Sequence, residues 1–83
     1  MERIIVEVIV PGTGTSVDFD VPAQSRVREL TQDLIEILTL SEQNVLFDPV
    51  APTLCDADRR CVLDRNAVLA DSGIRDGSRL MVL

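Results

Sequence analysis

LADSGIRDGSRLMVL, residues 69–83, holds two turn signals and a strand, and its reading decides the fold. Asp71-Ser72-Gly73 and Asp76-Gly77 are turn chemistry, because glycine reaches positive φ without steric cost and aspartate accepts from nearby amides. Ile74 lies between the two turns as the residue expected to anchor the loop. Residues 79–83 then alternate, which assigns Leu80 and Val82 inward and Met81 and Leu83 to the opposite face. An apolar closing strand needs apolar neighbours, and the most apolar strand signal in the chain lies at its other end.

In residues 3–10, Ile4, Val6, Val8 and Val10 fall on one face at period two, with Arg3, Ile5, Glu7 and Ile9 on the other. Pro11-Gly12-Thr13-Gly14 reads as a hairpin turn. Its second arm, residues 16–21, places Val17, Phe19 and Val21 inward and Asp18 and Asp20 outward, as suits an edge strand that must not pair with other chains. Pro22 and Ala23 end that arm, and Ser25 is placed to cap a helix. Val27, Leu30, Leu34 and Leu38 form its apolar stripe, flanked by Thr31, Ile35 and Ile37, with Arg28, Glu29, Gln32, Asp33 and Glu36 on the opposite arc.

Residues 41–51 read as a connector with an apolar plug at Val45, Leu46 and Phe47, since Pro49 and Pro52 exclude a long helix. Residues 53–56 and 61–63 read as short strands around a polar turn. The pattern predicts an α+β fold: a mixed four- to five-stranded sheet with one helix across one face, in a single domain spanning 1–83. The first and last strands, being the most apolar, are expected to be central, parallel and adjacent, with the helix inside the crossover between them.

Composition narrows the function. Fourteen acidic residues against eight basic ones give a net charge of −6, and all the basic residues are arginine. Such a surface repels phosphate backbones, which argues against nucleic-acid binding. Histidine, the commonest general base and transition-metal ligand, is absent from the sequence. No stretch is long and apolar enough to insert in a membrane, and the N-terminal apolar run lacks the features of a signal peptide. A cytoplasmic protein with free thiols at Cys55 and Cys61 is expected.

The order of elements, with Leu69-Ala70-Asp71-Ser72-Gly73-Ile74 and Asp76-Gly77-Ser78-Arg79-Leu80, resembles the ubiquitin-like β-grasp family. Within it the sequence is similar to the YukD/EsaB proteins of bacterial type VII (WXG100, ESX) secretion systems and to the cytosolic ubiquitin-like domain of EccD. The resemblance implies a non-enzymatic protein-interaction module, an accessory or regulatory component of such a system, with no cofactor. Ubiquitin and the sulfur carriers act through a mobile Gly-Gly tail, whereas this sequence finishes Met81-Val82-Leu83, so neither conjugation nor sulfur carriage is expected. Two alternatives stay open: a modifier or sulfur carrier whose tail lies beyond the sequence given, and the cytosolic part of an EccD-like membrane protein.

Several residues are candidate sites. Cys55 and Cys61 are read as small buried hydrophobes in preference to a redox pair or half a zinc site, which would lack further cysteine or histidine ligands. Asp56, Asp58 and Asp64 lack calcium-loop spacing and are read as solvated turn carboxylates. Residues 11–15 lack the ending of a phosphate loop. Arg26 and Arg28 oppose the helix dipole, and pairing of Arg26 with Glu29 is favoured over a secondary partner-binding role. The main candidate is the outer sheet face, where Ile5, Ile9, Met81 and Leu83 would form a docking patch for a protein partner, such as a type VII component, or for a second copy in a homodimer. The competing reading, scattered exposed apolar residues, carries equal weight.

Overall fold

Residues 2–10, 12–41 and 52–83 are described by the structure, a computed structural model. The alternation at the N-terminus makes a hairpin of β1 (Arg3–Val10) and β2 (Thr15–Pro22), in full antiparallel register from Arg3↔Pro22 to Val10↔Thr15. The helix α1 (Val27–Ser41) follows, then β3 (Leu54–Asp56), β4 (Cys61–Val62), a single 3-10 turn (Ala70–Ser72) and β5 (Arg79–Val82). The described strands form one mixed sheet in the order β2-β1-β5-β3-β4. As expected, the first and last strands are central and parallel, with Glu7↔Arg79, Val8↔Leu80 and Ile9↔Met81. The connector expected at residues 41–51 lies, from residue 42 onward, outside the described residues.

One face of the sheet takes the helix. Ile4, Val6, Val8 and Val10 of β1, Leu80 and Val82 of β5, and Leu54 of β3 are buried with Val27, Leu30, Leu34 and Leu38 of α1. Each large aliphatic side chain removed from water in this way contributes roughly 1.5–3 kcal/mol. Val17, Phe19 and Val21 share this face, as their partners Val8, Val6 and Ile4 require. Val21 is buried and Phe19 half-buried, but Val17 is 37% exposed, because β2 is the edge strand. Ile37, expected beside the helical stripe, is likewise exposed.

The start of α1 corrects a second expectation. Ser25 does not cap the helix: Leu30 N donates to Arg26 O (3.0 Å), so the helix begins one residue later. Its first free amides are met by the loop before β5, with Val27 N donating to Ala67 O (2.9 Å) and Arg28 N to Arg65 O (3.0 Å). Leu69 N donates to Ser25 O (2.9 Å) and Ala70 N to Ala23 O (3.0 Å), while Arg26 and Val68 form an isolated antiparallel bridge. The orphan donors of a helix end must find acceptors, and here tertiary backbone supplies them.

Asp56 is the other local surprise. Its side chain is only 4% exposed. Oδ1 accepts from Asp58 N (3.1 Å) and Arg59 N (3.2 Å), which folds the β3–β4 turn around it, and Oδ2 accepts from Arg59 Nε (2.8 Å). The carboxylate is thus a buried turn organiser, not a solvated one. Arg59 reaches further: its Nη2 donates to Ser72 O (3.1 Å), and a Cβ at Gly73 would collide with the guanidinium. Gly73 also sits at φ 79°, in the left-handed region. One arginine therefore fastens the β3–β4 turn to the 3-10 turn.

The last turn docks on β1. Gly77 N donates to Ile5 O (2.8 Å), and Ile5 N donates to Asp76 Oδ1 (2.7 Å). The Asp76-Gly77 pair is thus both a turn and an extension of the central parallel ladder.

Two outcomes follow for stability. Asp56→Ala should cost about 1–3 kcal/mol, because the turn amides of Asp58 and Arg59 lose a charged, part-buried acceptor while the half-exposed Arg59 loses a partially screened ion pair. Asp56→Asn, which keeps an oxygen for the turn amides, should cost clearly less in urea melts; equal losses would mean that the turn bonds contribute nothing. Gly73→Ala should cost at least about 1 kcal/mol from backbone strain alone. Its cost should shrink in an Arg59→Ala background, and strict additivity of the two would refute the contact between them.

Candidate functional site

The sheet face opposite the helix is laid out in rows by the strand register. Ser16, Ile9, Met81, Cys55 and Val62 are successive Cα partners across the strands β2, β1, β5, β3 and β4. Four of these five are apolar or a thiol. Leu83 lies next to this row, its backbone paired with Thr53 in both directions (2.9 and 3.0 Å). Val62 is 67% and Leu83 47% exposed, while Ile9, Cys55 and Met81 are half-buried. Cys55, Val62, Met81 and Leu83, with Arg60 and Cys61, line one shallow depression.

The neighbouring row is charged. Asp18 pairs with Glu7 and Glu7 with Arg79 along the register. Arg79 Nε meets Glu7 Oε1 at 2.9 Å, and its Nη1 lies 3.8 Å from Asp58 Oδ1. Exposed pairs of this kind add little stability, but they divide the face. Beyond them stands Ile5, opposite Asp20, with Arg3 Nε bonded to Asp20 Oδ1 at 2.9 Å. Of the residues expected to form the patch, Ile9, Met81 and Leu83 come together, whereas Ile5, 52% exposed, is set apart by the Glu7–Arg79 pair. Cys55 and Val62 complete the apolar row, and sequence reading missed them because the pairing of β3 with β5 is set by tertiary structure. Val62 carried a weak signal as an apolar residue between Cys61 and Leu63.

The cysteines differ from the expectation that both are buried: Cys55 is half-buried and Cys61 exposed. Cys55 pairs with Val62 and Cys61 with Asp56 across the β3–β4 hairpin, and both cysteines border the same shallow depression. Burial first, and the nearby Cys61 second, push the Cys55 thiol above its ordinary value, which keeps it protonated and a weak nucleophile at neutral pH. Among the described residues no group of three or more Cys, Asp or Glu is placed to hold a metal ion. What the outer face can do chemically is to give up water from apolar side chains against another apolar surface.

Arg26 does not pair with Glu29 through its side chain. Its Nη1 donates to Asn66 O at 2.7 Å, so the cation is engaged in holding the loop that caps α1. Arg28 is exposed and borders a shallow cleft with Gln32, Asp33 and Arg65. These two arginines do not join the outer face, since α1 lies across the other side of the sheet.

Known structures share this fold. The EccD5 ubiquitin-like domain from Mycobacterium xenopi superposes with a TM-score of 0.81 at 17% identity, covering 100% of this chain and 94% of that one. The ubiquitin-like domain of the Mycobacterium tuberculosis type VII secretion system protein EccD1 gives 0.70 at 22% identity, covering 100% and 99%. A chain of the MycP5-free ESX-5 inner membrane complex gives 0.79 at 21% identity; the match takes in all of this chain but only 21% of that longer one. Among curated proteins none matches. At these identities the likeness establishes a ubiquitin-like fold. The family itself is given by a model that matches residues 3–82, described as the WXG100 protein secretion system (Wss) protein YukD. Matched over nearly its whole length and folded as a five-stranded β-grasp, this chain belongs to the YukD family of ubiquitin-like proteins associated with type VII secretion.

Proposed function

We propose that this chain is a non-enzymatic docking module that works in the cytoplasm as an accessory component of a type VII secretion system. It acts by non-covalent binding of another component through the outer sheet face. The observation that carries this reading is the contiguous row Ile9, Met81, Cys55 and Val62, continued by Leu83, on the face that α1 leaves uncovered. Such a row, bordered on one side by charged residues, has the build of a small interface: an apolar centre that excludes water and a polar rim that sets orientation. The proposed occupant is a protein of the secretion system's inner membrane complex. Supporting this choice, the similar fold in the ESX-5 complex is part of a longer chain within a membrane assembly.

Binding, rather than transfer of the chain to a target, is the proposed mode. Supporting it, Met81 and Val82 are paired with Cys55 and Leu54, and Leu83 with Thr53, so the outer face these residues build is presented by backbone fixed in the ladder.

The test is titration of isotope-labelled chain with detergent-solubilised type VII inner membrane complex from the same source. Amide signals of Ile9, Cys55, Val62 and Met81 should broaden first. Met81→Glu and Val62→Glu should fold, as judged by circular dichroism, yet weaken the complex about tenfold or more, because the new carboxylate must lose water without gaining a partner. Ile5→Glu, across the charged row, should fold and weaken it less. Ile4→Glu and Leu80→Glu, aimed into the core, should unfold the domain. Broadening confined to α1, or a folded Met81→Glu that binds as the parent does, would overturn the reading. Light scattering reports whether a second copy competes for the same face.

A further inference from the structure

The outer edge of β2 carries main-chain groups that the outer face does not use. Ala23 N donates to Glu2 O at 3.0 Å, and Pro22, opposite Arg3, has no N–H to offer. Antiparallel pairs alternate between bonded and non-bonded, so Val21, Phe19 and Val17 exchange hydrogen bonds with Ile4, Val6 and Val8. The N–H and C=O groups of Asp20, Asp18 and Ser16 therefore point away from the sheet. Asp20 O accepts from the Arg3 side chain, Nη2 at 3.0 Å. Among the described residues β1 is the only strand beside β2.

Side chains along this edge are sorted by face. Val17, over a third exposed, and Phe19, half-buried, lie on the helix side; Asp18 and Asp20, both exposed, lie on the other. We propose that the edge of β2 accepts an extended segment of another protein as an added antiparallel strand, with basic residues opposite Asp18 and Asp20 and apolar residues opposite Val17 and Phe19. The main-chain groups of Ser16 and Asp18, together with Asp20 N–H, supply the ladder, and the alternating side chains supply selectivity. Directly opposed like charges destabilise a strand pair, so the two aspartates bar a second copy of this acidic chain in the antiparallel register that would set them against each other. The same charges that protect the edge from self-pairing favour a basic strand. Arg3 holds Asp20 beforehand, but both partners are more than half exposed, so an incoming guanidinium can displace it. This edge adjoins the Met81 row at Ser16 but engages main-chain groups instead of the apolar side chains, so protection of the β2 amides and broadening at Met81 are read separately.

The test uses isotope-labelled chain and short blocked peptides: one alternating arginine and valine, one alternating glutamate and valine, and one with the arginines and valines in separate blocks. The alternating arginine–valine peptide should slow hydrogen exchange at the Ser16, Asp18 and Asp20 amides. The glutamate peptide should not, and the block peptide should bind more weakly, since charge attraction alone does not read alternation. Asp18→Lys should weaken the arginine–valine peptide about tenfold or more and transfer preference to the glutamate peptide. Asp18→Asn, which keeps the edge and removes the charge, gives an intermediate loss and serves if the lysine variant does not fold. The proposal is overturned if those amides stay unprotected at about 5 mM peptide, if shifts centre on Met81 and Cys55 instead, or if folded Asp18→Lys binds as the parent does. Protection of the same amides in concentrated chain alone would assign the edge to a second copy and overturn it equally.

Discussion

The parallel pairing of β1 with β5 is the constraint on which the other elements depend. Two adjacent parallel strands cannot be joined by a tight turn, so the chain between Val10 and Arg79 has to cross the sheet, and α1 is the part of that crossing that covers the core. The pairing Val8↔Leu80 sets which residues of both strands lie beneath the helix, and by period two which lie on the uncovered face. A slip of one residue would send Leu80 and Val82 to solvent and Met81 and Arg79 into the core. The ladder is lengthened beyond the strand proper by Gly77 N on Ile5 O, Ile5 N on Asp76 Oδ1 and Glu7 N on Ser78 O, so the register is held by the turn as well as by the apolar faces.

The second half of the chain has short strands, and polar contacts there add to what apolar alternation does in the first half. Asp56 collects the amides of its own turn, Arg59 carries that turn to Ser72, and the loop at residues 65–69 meets the first amides of α1 and the Ser25 carbonyl. The first is a local backbone requirement, and the others are met by a distant segment. The result is a continuous tie from the β3–β4 hairpin through the 3-10 turn to the start of the helix, alongside the β3–β5 ladder that sets Cys55 next to Met81.

Two surfaces of different character follow from one sheet. The outer face groups its apolar side chains across strands and keeps them apart from Ile5 by the Glu7–Arg79 pair, while the β2 edge offers main-chain groups flanked by carboxylates. The first is suited to a partner with a complementary apolar surface and the second to an extended one. Both surfaces are built without lysine or histidine, which the acidic sequence lacks.

By itself the sequence determined the strands at each end, the helical stripe from Val27 to Leu38, the turns at Gly73 and Gly77 and the central parallel pair, because hydrophobic period and turn chemistry are local properties. It also placed Ile9, Met81 and Leu83 on one face, since alternation carries that information once two strands are neighbours. What only tertiary structure decided were facts that depend on partners far along the chain. Ser25 lost the cap to loop carbonyls, Arg26 turned to Asn66 instead of Glu29, Asp56 was buried by the turn it organises, Cys61 stayed exposed on a hairpin too short to cover it, and Ile5 was cut off by an arginine more than seventy residues away. A side chain's burial and its hydrogen-bond partner are set by what folds against it, and neighbouring residues do not encode that.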